Sequence, residues 1–281
     1  MKLLKRHKRE RKPLEFKQIA PNMVTSGNLL CGLFSLMLTM SGRYVPAAWL
    51  IFFAVIFDGL DGKVARMLGG GSQFGLEFDS LADLVSFGVA PALLLYHAFL
   101  KGWAGVLGPV VACFFALCVA LRLARFNVVH IPGPFQGLPC PAGGLFIASF
   151  ILAGLALPPA AMAGVLVGVG LLMISSIPYA NLKKLTKHSA DKGKCAVLFS
   201  FLALSFVFLG SAAPLFLFAM YILGGLIRFD WGQWLLRPDE PAYAEPQASR
   251  RWLGRLCRSE AQLSCGDRPE AREVASAEEA H

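Results

Sequence analysis

Apolar residues occur along this chain in long blocks, separated by brief connections rich in glycine, proline or basic residues. Blocks able to cross about 30 Å of hydrocarbon as helices are predicted at 22–41, 45–66, 79–100, 104–124, 141–157, 160–178, 195–211 and 213–229. This pattern predicts an all-α integral membrane protein. A basic segment, 1–20, precedes the first block, and a polar tail, 236–281, follows the last. No small-residue cleavage pattern follows the first block, so it reads as a retained span and not a signal peptide.

Charge adds an orientation. Lys2, Lys5, Arg6, Lys8, Arg9, Arg11, Lys12 and Lys17 precede the first span, whereas Arg43 alone lies in the next connection. Lys63 and Arg66 close the second span, Lys101 alone follows the third, and Arg122 and Arg125 end the fourth. The fifth and seventh spans are followed by uncharged connections, the sixth by Lys183, Lys184, Lys187, Lys192 and Lys194. Such alternation predicts a cytoplasmic (inner) membrane protein with both termini on the cytoplasmic side.

Composition agrees: 56% of the 281 residues are hydrophobic and only 16% charged, too apolar for an ordinary soluble domain. The net charge of +9 comes from short clusters between apolar runs, which favours anionic membrane lipids over nucleic acid as partner. Seven cysteines, without CxxC spacing or nearby histidines, suggest neither a zinc site nor a disulfide framework. They read as small buried or tail residues. Trp231, Trp234 and the segment RRWLGRL at 250–256 offer a short amphipathic patch for headgroups, set against a plain solubilising tail.

One feature breaks the apolar pattern. Between Asn22 and Asn181 every acidic residue falls in a single stretch: Asp58, Asp61, Glu77, Asp79 and Asp83. A carboxylate at a helix centre costs roughly 2.5–3.5 kcal/mol on insertion scales, so such a group needs compensation. Asp58, Asp61 and Ala65 share a helix face at i, i+3 and i+7, and Asp79 and Asp83 share another at i and i+4. Two carboxylates ending one helix and two starting the next make a cage of hard oxygen donors suited to Mg²⁺ or Mn²⁺. Two such ions stabilise attacking and leaving oxygens in phosphoryl displacement. Gly62 and Gly75 leave room for a phosphate near the backbone, and Arg66 neutralises its charge.

The stretch reads DxxDGxxAR(x8)GxxxDxxxD, with Asp58, Asp61, Gly62, Ala65, Arg66, Gly75, Asp79 and Asp83 at the fixed positions. It resembles the signature of the CDP-alcohol phosphotransferase family. The resemblance implies a six-helix catalytic membrane core over 21–180, a homodimer, and transfer of a phosphatidyl or related group from a CDP-linked donor to an alcohol with release of CMP. The spans within 181–235 would then be two additional transmembrane helices. Carried over by position, Asp58, Asp61, Asp79 and Asp83 would hold two divalent cations, with Asp83 also the general base. Gly62, Ala65, Gly75 and Arg66 would line the CDP site, Arg66 on the pyrophosphate.

The flanks FDSLADLVSFGVAPA at 78–92, PNMVTSGNLLCG at 21–32, LRLARFN at 121–127, FQGLPCPAGG at 135–144 and IPYANLKK at 177–184 resemble the phosphatidylserine synthase branch. Leu84 stands where phosphatidylglycerophosphate synthases usually carry Lys, and Cys140 where Ser or Thr is common. The implied reaction joins CDP-diacylglycerol and L-serine. Arg122 and Arg125 are candidates for the serine carboxylate or the donor phosphates, against ordinary topological anchoring. Asn22, Thr25 and Asn28 would read cytosine or ribose, with helix capping by Asn22 the competing view. Ser86, one turn past Asp83, would touch the acceptor unless it bonds its own backbone. Glu77, outside the motif, reads as interfacial.

Direct attack of the serine hydroxyl on the donor phosphorus is the expected route. His97 lies about 21 Å along the helix from Asp83, too far to serve as a nucleophile, while His130 and Cys140 leave a covalent route as the lesser alternative. Other acceptors, glycerol 3-phosphate, an inositol phosphate or choline, would keep the cage and change the pocket. A non-enzymatic cation transporter is the rival from another class, disfavoured because its acids would be spread through the membrane depth.

Overall fold

The computed structural model describes residues 16–68, 72–128, 135–179 and 192–227. The basic start, the tail with its tryptophans, His130, and the lysines from Lys183 to Lys187 lie outside the described residues. The helices are α1 (Phe16–Met40), α2 (Tyr44–Met67), α3 (Gln73–Asp83), α4 (Ala90–Leu95), α5 (Leu107–Val128), α6 (Cys140–Leu152), α7 (Pro159–Ile174), α8 (Lys192–Leu209) and α9 (Ala213–Leu226). Segments Leu84–Val89 and Tyr96–Leu100 are π-helical and join α3 and α4 into one helical stretch, Gln73–Leu100. A two-residue antiparallel bridge, β1 (Phe135–Gln136) with β2 (Pro178–Tyr179), is the sole strand pairing among the described residues.

The chain is a nearly all-helical, multi-pass membrane protein. Ala20–Met40, Tyr44–Met67, Gln73–Leu100, Leu107–Asn127 and Ser200–Leu226 are long and apolar enough to cross a bilayer. The expectation of eight full-length runs needs correction. Helices α6 and α7, of 13 and 16 residues, rise only about 20 and 24 Å at 1.5 Å per residue. Between α8 and α9 a 3-10 turn, Gly210–Ala212, opens on Gly210 at φ +53°, a left-handed conformation that ends a helix.

Helix α2 shows how the bundle carries its acids. Ala47, Ala48, Ile51 and Ala54 are buried on one face, and the same stripe continues through half-buried Asp58 and buried Asp61. Small side chains let α1 approach closely, and α1 packs on α2 more extensively than any other helix pair. The opposite stripe, Trp49, Phe53, Ile56 and Leu60, is exposed. That apolar face is a liability in water but the expected surface in lipid. Helix α5 packs against α7, and α6 lies against both α2 and α9. Phe87, Leu94, Leu95, Leu100, Phe115, Ile147 and Leu166 fill the core between them.

Candidate active site

The carboxylates meet where α2 ends and α3 begins. Ser72 caps α3, its hydroxyl accepting from the Gly75 N–H at 3.0 Å, so the third helix starts at Gln73, six residues before the predicted start of its span. That extra length places Asp79 within the helix opposite α2. One oxygen from each of Asp58, Asp61 and Asp79 lies within 4.8 Å of the others. Ionised pairs at that separation repel by about 3 kcal/mol at an effective dielectric near 20. Three hard oxygen donors gathered so closely fit a divalent cation, which would offset that repulsion.

Asp83 stands apart from this trio but within electrostatic range of all three. It is held by a different helix: the Asn28 side-chain amide donates to Asp83 Oδ1 at 3.0 Å. Helix α1 also holds Asp61, whose Oδ2 accepts from the Thr25 hydroxyl at 2.9 Å. Thr25 and Asn28, one turn apart on α1, are both buried and each is hydrogen-bonded to a cage carboxylate. Asn22 is not a helix cap, because α1 begins at Phe16 and Asn22 lies within it.

Ser86 is fully buried and donates at 2.9 Å to the Asn28 carbonyl, not to its own helix. It reaches α1 from the π-helical segment that follows Asp83 directly. The wider turn rotates the helix relative to a regular α repeat, as such bulges do at functional sites. The Ser86 proton is committed to the Asn28 carbonyl, and Ser86 has no exposed surface.

The other motif positions divide. A methyl on Gly62 would meet nothing within 4 Å, which leaves open the close approach expected there. A methyl on Gly75 would sit 2.9 Å from Asn22 Oδ1, so the missing side chain there makes room for Asn22. Ala65 is half-buried on the cage face, and Arg66 is exposed beside Gly62, its Nε donating to the Gly62 carbonyl at 2.9 Å.

Arg122 and Arg125 have different contacts. Arg122 Nη1 donates to Cys140 Sγ at 2.9 Å, whereas exposed Arg125 reaches the Ile174 carbonyl at 3.4 Å. Cys140 is completely buried under that contact, which removes it as an attacking group. Cys113, by contrast, is exposed and not among the buried cysteines expected. Glu77 is exposed as an interfacial residue should be, and Asn127 donates to its Oε2 at 3.3 Å and to Ser80 Oγ at 3.0 Å. The support from Asn28 to Asp83 was the main feature missed; the signal for it was Thr25 and Asn28 at i and i+3, on one face of the first helix.

Residues 18–227 match the family model for CDP-alcohol phosphatidyltransferase, a span that contains the whole cage. The chain belongs to the CDP-alcohol phosphatidyltransferase family. Within it, the chain is 36% identical over 228 residues to the CDP-diacylglycerol–serine O-phosphatidyltransferase of Helicobacter pylori, covering 77% of this chain and 93% of that one. It is 45% identical over 157 residues to the Methanocaldococcus jannaschii protein of the same name, covering 56% and 71%. The archaetidylserine synthase of Methanothermobacter thermautotrophicus is 42% identical over 164 residues, covering 57% and 68%. All three relatives are named for a serine product or acceptor.

Proposed function

We propose that this protein is a CDP-diacylglycerol–serine O-phosphatidyltransferase, which makes phosphatidylserine and CMP from CDP-diacylglycerol and L-serine. The observation that carries the chemistry is the convergence of Asp58, Asp61 and Asp79, with Asp83 held beside them by Asn28. The likeness to serine-using relatives over most of the chain supports the acceptor.

The serine hydroxyl attacks the phosphorus that carries the diacylglycerol group. A new P–O bond forms to serine, the bond to the CMP oxygen breaks, and Asp83 takes the hydroxyl proton. Asn28 keeps one Asp83 oxygen engaged, which leaves the other to face the acceptor. Asp58, Asp61, Asp79 and Asp83 would hold two divalent cations, Mg²⁺ or Mn²⁺, which when bound would supply charge neutralisation for the phosphoryl and departing CMP oxygens. Gly62 and Ala65 admit the CDP moiety against the backbone, and Arg66 at the exposed rim binds the pyrophosphate. The burial of Cys140 favours direct displacement over a covalent intermediate.

The aspartate end of the bundle faces the cytoplasm of an inner membrane, a placement supported by the alternation of basic and uncharged connections. Anionic lipids attract the basic segments on that side. The active form is a homodimer, as the family resemblance implies. Purified protein given CDP-diacylglycerol, Mn²⁺ and one alcohol at a time tests the reading. Serine should drive CMP release, and release driven instead by glycerol 3-phosphate, an inositol phosphate or choline would refute the acceptor.

A further inference from the structure

We propose that Arg122, Tyr179 and Tyr221 form the seat of the acceptor's carboxylate, so that α9, outside the six-helix core, supplies part of the substrate site. This rests on the serine reading above. The three residues come from α5, β2 and α9, elements far apart in sequence. Arg122 Nη1 contacts Cys140 Sγ, but its buried Nε has no hydrogen-bond partner. Tyr179 is 1% exposed, and its hydroxyl has no partner either. Tyr221 lies within electrostatic range of both Arg122 and Tyr179, and the two tyrosine rings stand 5.8 Å apart at 40°.

Buried N–H and O–H groups without partners are costly. A ligand with two acceptor oxygens relieves both at once, and a carboxylate matches the guanidinium in charge and shape. Among the described residues no carboxylate pairs with Arg122. Burial pushes the Tyr179 phenol above its ordinary range, so the group keeps the proton it would donate.

The seat is built and not accidental. Tyr179 is fixed by its pairing with Phe135 across the β1–β2 bridge, and the Gly137 N–H donates to the Ile177 carbonyl at 2.9 Å beside it. Helix α9 makes space for the ring: a methyl on Gly225 would run into it. The seat connects toward the cage through Cys140, which Arg122 contacts and which lies within electrostatic range of Asp83 and Asp58. Two flanks with the branch resemblance, LRLARFN and FQGLPCPAGG, meet here through Arg122 and Cys140.

The test measures CMP release by the full-length protein in lipid vesicles, with serine and CDP-diacylglycerol titrated separately. Tyr179→Phe and Tyr221→Phe should each raise KM for serine by about tenfold, the worth of one hydrogen bond to a charged group, and leave KM for CDP-diacylglycerol unchanged. An unchanged serine KM, or an equal rise in the donor KM, overturns the seat. Wild-type protein gives a second reading free of any folding defect. Alanine, which keeps the carboxylate but lacks the hydroxyl, should compete with serine, and alaninamide should not; equal inhibition by the two also overturns it. Wild type that turns over no serine at all refutes the function reading itself, a result distinct from either of these.

Discussion

The side-chain amide of Asn28 donates to Asp83 Oδ1 at 3.0 Å, tying the first helix to the one motif carboxylate outside the tight trio. Asn28 is in turn held by Ser86, whose hydroxyl donates to the Asn28 carbonyl at 2.9 Å. A hydrogen bond to a charged group contributes about 1.5–3 kcal/mol. Asn28→Ala should therefore lower kcat by about 10- to 100-fold, with little change in KM for the donor. Steady-state rates at saturating substrates check this, and a kcat within twofold of wild type would deny Asn28 its supporting role.

Thr25 supports the cage from the same helix through its 2.9 Å bond to Asp61. Removing such an outer support of a metal ligand typically weakens the ion about 10- to 100-fold. Thr25→Val should raise the Mn²⁺ concentration for half-maximal activity by that order, whereas Thr25→Ser should keep it near wild type. Equal behaviour of the two variants would show that the hydroxyl is not what matters.

The two motif glycines should separate stability from activity. A methyl at position 75 meets Asn22 Oδ1 at 2.9 Å and Ser72 Oγ at 3.3 Å, while one at position 62 meets nothing. Overpacking of this kind costs about 1–3 kcal/mol, so Gly75→Ala should lower the thermal midpoint. Gly62→Ala should leave that midpoint in place and weaken the donor instead. Thermal unfolding in detergent beside KM for CDP-diacylglycerol measures both, and the opposite pairing would reverse the roles assigned here.

Cation binding should be visible without turnover. Ligands that bind only the folded state stabilise it by mass action, so Mn²⁺ or Mg²⁺ should raise the thermal midpoint of the wild type. Asp61→Asn should shrink that rise, since the trio then loses one buried charged donor. Chelation should abolish activity and re-addition restore it. An equal midpoint rise in wild type and variant would place the ion elsewhere.

Much of this was legible in sequence. Carboxylates are so unfavourable in an apolar chain that Asp58, Asp61, Asp79 and Asp83 marked the site at once, and helical spacing put them on facing turns. What sequence did not disclose were relations between helices. The contacts from Thr25 to Asp61 and from Asn28 to Asp83 bridge 36 and 55 residues, and periodicity within one helix carries no record of such pairings. The π-helical turn at Leu84–Val89 leaves no mark in an unbroken apolar run, yet it lets Ser86 face α1. The packing need at Gly75 was hidden because the conformational freedom of glycine and a need for packing space give the same letter. Helices α6 and α7 looked long enough to span because apolar connections extend their runs beyond the hydrogen-bonded turns.

The central claim is that Asp83 activates serine for attack on CDP-diacylglycerol at this cage. Labelled serine, CDP-diacylglycerol and Mn²⁺ given to wild type and to Asp83→Asn, with phosphatidylserine and CMP both quantified, test it most directly. Wild type should yield equal amounts of the two products, and the variant should lose about 100-fold or more, the scale of a positioned general base. Serine-independent CMP release, or a variant as fast as wild type, would contradict it.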